Sequence, residues 1–152
     1  MTDPISYSTS TARLGLPLLF AGQAQKETTV NEALALLDIC VAGSVQGVLN
    51  DPPTAPVIGQ AWIVGASPTG PFANHQNAIA GWTEGGWRFV QPVIGMRCYD
   101  LQNGANRLFD GGWTLATAPA SPQGGAVVDA EARAAIAALI ELLKVTGTIS
   151  AN

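Results

Sequence analysis

The chain has 152 residues, of which 47% are apolar and only 12% charged, enough for a core and far from the composition of a disordered segment. The net charge of −4 comes with Arg13, Lys26, Arg88, Arg97, Arg107, Arg133 and Lys144 scattered singly, so no basic patch exists to hold nucleic acid or an anionic membrane. A surface this poor in charge is either solvated by neutral polar groups or covered by partners, and four Trp with an apolar C-terminal segment favour partners.

Residues 1–13 are Ser/Thr-rich and polar, and read as a flexible arm that orders against its own domain or a neighbour. The apolar stretch Leu14–Phe20 is too short to span a membrane, contains Pro17 and lacks a basic segment before it. No targeting signal and no membrane insertion are expected. The product is expected to be made in the cytoplasm and to stay soluble there until assembly.

From Thr29 the residues Val30, Ala33, Leu34, Leu37, Val41 and Val45 recur at helical spacing, which predicts a helix over about 29–45. Thr28 or Thr29 is the expected cap, with Glu32 completing a capping box. Gly43 and Gly47 mark the fraying end, and Asp51-Pro52-Pro53 forces an extended turn.

The period then changes. Gln60–Val64, Ile79–Thr83, Trp87–Gln91, Met96–Asp100, Arg107–Phe109 and Trp113–Ala116 are short aromatic or β-branched runs separated by Gly-rich links, which predicts antiparallel hairpins. Trp82-Thr-Glu-Gly-Gly-Trp87 lines up with Leu108-Phe-Asp-Gly-Gly-Trp113, so the hairpins look related. Residues 117–128 contain the Pro- and Gly-rich run TAPASPQGG, a linker. Asp129 caps a second helix over 129–146, Gly147 stops it, and 147–152 form a tail. Its residues Ala132, Ile136, Leu139, Ile140 and Leu143 form an apolar stripe suited to joining subunits, or to folding back on the domain. The expected fold is α+β: an N-terminal helix on a small antiparallel β-meander within residues 14–116, plus a C-terminal oligomerisation helix.

Catalytic chemistry finds little support. Cys40 and Cys98 lie in helix and strand patterns and read as buried free thiols, not as metal ligands or a disulfide framework. His75, the one histidine, has no nucleophile motif and no metal-binding spacing around it. A glycosidase needs two carboxylates flanking a sugar, and of Glu84, Asp100 and Asp110 the first and last are explained by hairpin turns. No catalytic residue, metal or cofactor is expected. The four Trp either fill the core of a small sheet or display a face on which a sugar ring can stack. In the second case the ligand-binding residues are Trp82 and the loop Asn74, His75, Gln76 and Asn77.

Leu16-Pro-Leu-Leu-Phe-Ala-Gly-Gln-Ala-Gln-Lys26, followed by Val30-Asn-Glu-Ala-Leu and Leu37-Asp38, resembles the opening of an uncharacterised alphaproteobacterial family of phage tail-fibre and gene transfer agent head-spike proteins. Pro52-Pro53, Pro56, Gly59, Trp62-Ile63-Val64-Gly65, Thr69-Gly70, Phe72, His75, Ile79-Ala80, Gly85-Gly86-Trp87-Arg88-Phe89, Pro92, Gly95, Phe109-Asp110-Gly111 and Trp113 fit the same pattern. Gln60-Ala61 departs from it, since an acidic-basic pair is commoner there. The resemblance spans about residues 14–115. It implies a structural virion protein, part of a spike or fibre that meets the host surface. The partners implied are copies of itself as a trimer or pentamer, other virion proteins, and a host surface polysaccharide. Two other readings stand beside it: a glycan-binding adhesin in its own right, and a small hydrolase of envelope polysaccharide.

Overall fold

The computed structural model describes residues 18–19, 26–121, 123–125 and 129–150. The chain is α+β and divides into two compact units, the first ending at Val93 and the second beginning at Ile94. The single meander expected over residues 60–116 is therefore corrected: its strands belong to two sheets. The break falls at Pro92-Val93-Ile94-Gly95, where Pro92 has no N–H for a ladder and Gly95 takes a φ of 87°.

The first unit holds α1 (Lys26–Ala42), β1 (Ser44–Val45), β2 (Val48–Leu49), β3 (Ala61–Val64), β4 (Ile79–Thr83) and β5 (Gly86–Val90). Strands β2 to β5 are neighbours in sequence order. The β3–β4 and β4–β5 pairs are antiparallel, as the Gly-rich links predict. The β2–β3 pair is parallel, with Val48 opposite Ile63 and Leu49 opposite Val64, which corrects the all-antiparallel expectation. The intervening loop returns the chain to its starting direction without a helix. The amide of Gly65 donates to the Leu49 carbonyl and that of Thr69 to the Asn50 carbonyl, fastening the loop at its base.

Helix α1 begins at Lys26 and ends at Ala42, where Gly43 takes a φ of 58°. Thr28 and Thr29 thus lie within the first turn and do not precede it. Glu32 closes no capping box; its carboxylate takes the Arg88 guanidinium on β5 through Nε at 2.7 Å and Nη2 at 2.9 Å. The helix also sits the other way round from what its apolar spacing suggests. Asn31, Ala35, Asp38 and Ile39 are buried, while Val30, Ala33, Leu37 and Val41 are exposed. The amide of Asn31 explains the setting: it accepts from the Leu19 N–H at 3.0 Å and donates to the Leu19 carbonyl at 2.7 Å, clamping that residue like a strand partner.

Alternation along the strands gives the sheet two faces. Ala61, Ile63, Ile79, Gly81 and Arg88 lie on the helix side. Trp62, Val64, Ala80, Trp82, Trp87 and Phe89 lie on the other side. There Val64, Phe72, Ala78 and Ala80 form a fully buried cluster, with Leu49, Trp87 and Phe89 against it.

The second unit holds β6 (Arg97–Asp100), β7 (Ala105–Phe109), β8 (Trp113–Leu115) and α2 (Ala130–Val145). The three strands form an antiparallel meander. The two acidic-Gly-Gly hairpins are both present but differ by one residue in register. Trp82 faces Trp87 across a two-residue turn, whereas Trp113 faces Phe109 across a three-residue loop with Gly111 at a φ of 79°. Asp129 caps α2 by accepting from the Ala132 N–H at 2.8 Å, and Gly147, at a φ of 66°, stops it. The tail is docked through residue 150: Gly147 accepts from the Asn106 N–H, and the Ser150 N–H donates to Ala116. Residues 117–121 and 123–125 carry no helix or strand. The arm over residues 1–13 lies outside the described residues.

Candidate functional site

The aromatic residues of the first unit are brought together on the sheet face away from α1. Trp87 is the hub, 4.9 Å from Trp82, 4.9 Å from Phe72 and 5.7 Å from Trp62 between ring centroids. Phe72 in turn meets Phe89 edge-on at 6.1 Å, and the His75 ring stacks on Phe89 at 3.7 Å with 5° between planes. The result is a continuous row: Trp82, Trp87, Phe72, Phe89, His75. Trp62 and Phe72 are buried, while Trp82, Trp87, Phe89 and His75 are half-buried. Tilted and edge-on pairs suit the ring quadrupoles, and the row uses them nearly throughout.

The loop 72–77 folds over this face by its own chemistry. Phe72 is anchored in a short 3₁₀ turn, Gly70–Phe72. Asn74 and Asn77 take φ values of 67° and 65°, a left-handed setting that Asn tolerates better than most residues. The amide of Ala78 donates to the His75 carbonyl and that of Asn77 to Val64, which returns the chain into β4. The five residues named from sequence as a sugar-binding set are therefore divided. His75 packs on Phe89 at one end of the row and Trp82 on Trp87 at the other, and Asn74 and Gln76 are exposed at the loop. Trp87 and Phe89, which the sequence reading left out of the set, connect the two ends. Their register opposite Trp82 and Ala80 was the available signal.

The carboxylates considered for catalysis are occupied or set in turns. Asp100 is fully buried; its oxygens accept from Asn103 N at 3.0 Å, Asn103 Nδ2 at 2.9 Å and Arg107 Nε at 2.6 Å. Burial alone would raise its pKa, but these bonds prevail and hold the carboxyl below its ordinary value. Glu84 and Asp110 are exposed hairpin residues. Cys98 is buried, which pushes its thiol up to about 11. Cys40, expected to be buried, is half-buried, because it lies between the inner and outer sides of α1. Among the described residues there is no group of three metal-ligating side chains and no helix long and apolar enough to cross a membrane.

Of the stripe named from sequence, Ile140 is covered within the chain and Leu143 is half-buried. Ala132 is exposed, and Ile136 and Leu139 are 44% and 55% exposed. Leu142 and Val145 widen the uncovered surface.

Residues 30–114 match the family described as a protein of unknown function, DUF2793. No curated protein matches the chain.

Proposed function

We propose that this chain, which belongs to the DUF2793 family of unknown function, is a structural subunit of a phage or gene transfer agent particle, built into a head spike or tail fibre. The observation that carries this reading is the uncovered aliphatic surface of α2, through Ile136, Leu139, Leu142 and Val145. Each such side chain gains about 1.5–3 kcal/mol on burial, so a chain displaying four of them is poised to assemble. The likeness of Leu16–Lys26 and of the Pro- and Trp-containing middle segment to spike and fibre proteins supplies the particle. The subunit works by assembly and without a catalytic step, as a trimer or pentamer beside other virion proteins. Light scattering on the full chain should give an oligomer whose mass falls on Ile136→Asp, and antibody to the chain should decorate purified particles at a spike or fibre. Absence of the chain from such particles would end this reading.

A second reading concerns what the assembled part touches. The half-buried row from Trp82 to His75 offers aromatic surface beside the exposed amides of Asn74 and Gln76, the combination that stacks and hydrogen-bonds a sugar ring. On this reading the partner is a host surface polysaccharide, each site is weak, and several subunits together supply the avidity. Particles carrying Trp82→Ala or His75→Ala should then adsorb poorly to capsulated cells. Adsorption at wild-type level with the spike intact would place recognition in another subunit.

A further inference from the structure

A groove on one face of the β6–β8 meander presents a guanidinium with nothing to hold, and we propose that it binds a sugar acid, a hydroxylated ring bearing one carboxylate. Strand alternation builds the groove. Arg97 faces Leu108 and Leu108 faces Thr114, so the three stand in one cross-strand row. Arg107 and Asp100 lie on the opposite face, where they hold one another. The chain after α2 borders the row. Its Gly147 carbonyl accepts from Asn106 N at 2.8 Å and Nδ2 at 3.0 Å, and the Ser150 N–H donates to the Ala116 carbonyl. The cavity that results measures about 340 Å³ and is lined by Arg97, Asn106, Leu108, Thr114, Ala116 and Thr148. All of these but the half-buried Asn106 are exposed, so a ligand can enter directly from solvent.

Arg97 sets the charge of the ligand. Arg88, Arg107 and Lys144 each hold a carboxylate, whereas Arg97 has no hydrogen-bonded or ion-paired partner among the described residues. No acidic side chain lines the groove. In a chain of net charge −4, a guanidinium left unpaired beside a cavity suits an anion from outside. Its planar fork matches a carboxylate with two parallel hydrogen bonds. A phosphate ester carries close to two charges, and this groove offers one cation and no helix N-terminus to balance them. The neutral groups select hydroxyls. Thr114 Oγ1 donates to the Leu108 carbonyl at 3.2 Å and keeps lone pairs to accept. The Asn106 amide spends its Nδ2 on Gly147, which leaves Oδ1 to accept, and the Thr148 hydroxyl stands 3.0 Å from that of Thr146. Leu108 and Ala116 add apolar surface for the C–H face of a ring. The volume is at the small end of the roughly 300–1,000 Å³ of small-molecule sites, which suits a single sugar unit. The site belongs to the second unit and uses no residue of the aromatic row or of α2, so it stands or falls apart from the readings above.

The test is a titration of the full isotope-labelled chain, followed by NMR, with glucuronate, glucose, acetate and inorganic phosphate at matched ionic strength. Glucuronate should shift the backbone amide signals of Leu108, Thr114 and Ala116 and the Nε–H signal of Arg97. Glucose lacks the carboxylate and acetate lacks the hydroxyls, so each should bind at least about tenfold more weakly. Arg97→Gln should weaken glucuronate by about tenfold or more, with an unchanged circular dichroism spectrum because the side chain holds nothing in the fold. Thr114→Val should weaken it by a smaller factor. A glucuronate-containing oligosaccharide separates the two sources of the same chemistry. Binding at least as tight as the free acid assigns the groove to a unit within a polysaccharide, and loss of binding assigns it to a free sugar acid. Acetate, glucose or phosphate binding as tightly as glucuronate would overturn the proposal. So would glucuronate shifts confined to residues outside the groove, or equal affinity in wild type and Arg97→Gln.

Discussion

Ile39 on α1 fills the space that a β-carbon on Gly81 of β4 would need: an added methyl would stand 2.6 Å from Ile39 Cγ1 and closer still to Cδ1. Gly81 is thus the seat of the helix on the sheet. Gly81→Ala should destabilise the first unit by about 1–3 kcal/mol, the usual cost of overpacking. Ile39→Ala in the same chain should recover part of that loss, because the two side chains compete for one space. A double-mutant cycle by urea denaturation measures the coupling, and simple additivity would mean that the helix shifts freely.

The Arg88–Glu32 pair pins the same helix to β5 with two parallel hydrogen bonds. Arg88 Nη1 also donates to the Trp87 carbonyl at 2.8 Å and to that of Gly85 at 3.2 Å, so the guanidinium ties the β4–β5 hairpin to α1. Lysine keeps the charge but loses the fork. Arg88→Lys should therefore cost about 1.5–3 kcal/mol in denaturant unfolding, the range for hydrogen bonds to charged groups. Wild-type stability in that variant would show the pair to be a solvated surface contact.

The β4–β5 and β7–β8 hairpins were legible in the sequence because Trp and β-branched runs flank acidic-Gly-Gly turns whose backbone needs are specific. The cap at Asp129 was legible for a similar reason, since a side chain three residues ahead of an amide has one obvious partner. The rotation of α1 was not legible. Its outer side is apolar, and its inner side mixes Ala35 and Ile39 with Asn31 and Asp38, so spacing alone named the wrong face. What decides the rotation is the Leu19 backbone bound to Asn31 and the Arg88 fork on Glu32, both distant in sequence. The two-residue strands β1 and β2 are too short to show a period, and the parallel β2–β3 pairing depends on a proline-rich return with no helix to signal it. The aromatic row was half legible: Trp82 and His75 were singled out, but the rings between them come from β5 and the 3₁₀ turn.

The second unit should have a stability profile set from both ends of the pH scale. Asp100 has a folded pKa below its ordinary 3.8, so its contribution is whole above that value and is lost as pH falls through the lower folded one. Cys98 has a folded pKa raised from 9.0 to about 11, so its contribution is whole below pH 9.0 and is lost as pH rises toward 11. Arg107→Ala leaves a buried carboxylate unpaired and should cost about 3–5 kcal/mol near neutrality, with less penalty in acid. Thiol titration of the native chain at pH 8 should modify Cys40 before Cys98. Equal rates would contradict the burial of Cys98.

The aromatic row separates packing from display. Trp87 touches Trp62, Phe72 and Trp82, so Trp87→Ala removes the hub of the face and opens the Phe72 cluster to water. Its cost should approach the roughly 3–5 kcal/mol of a core Trp truncation, toward the low end because the ring is half-buried. Trp82 lies at the end of the row, with Trp87 as its only aromatic neighbour among the described residues. Trp82→Ala should cost about 1 kcal/mol, near the range for an aromatic pair on a sheet surface. Urea unfolding of the two variants, each followed by circular dichroism, gives the comparison. A large gap makes Trp82 available for contact outside the chain while Trp87 holds the face in place. Equal, large losses would make both residues core and leave the row without a free end for any ligand to meet.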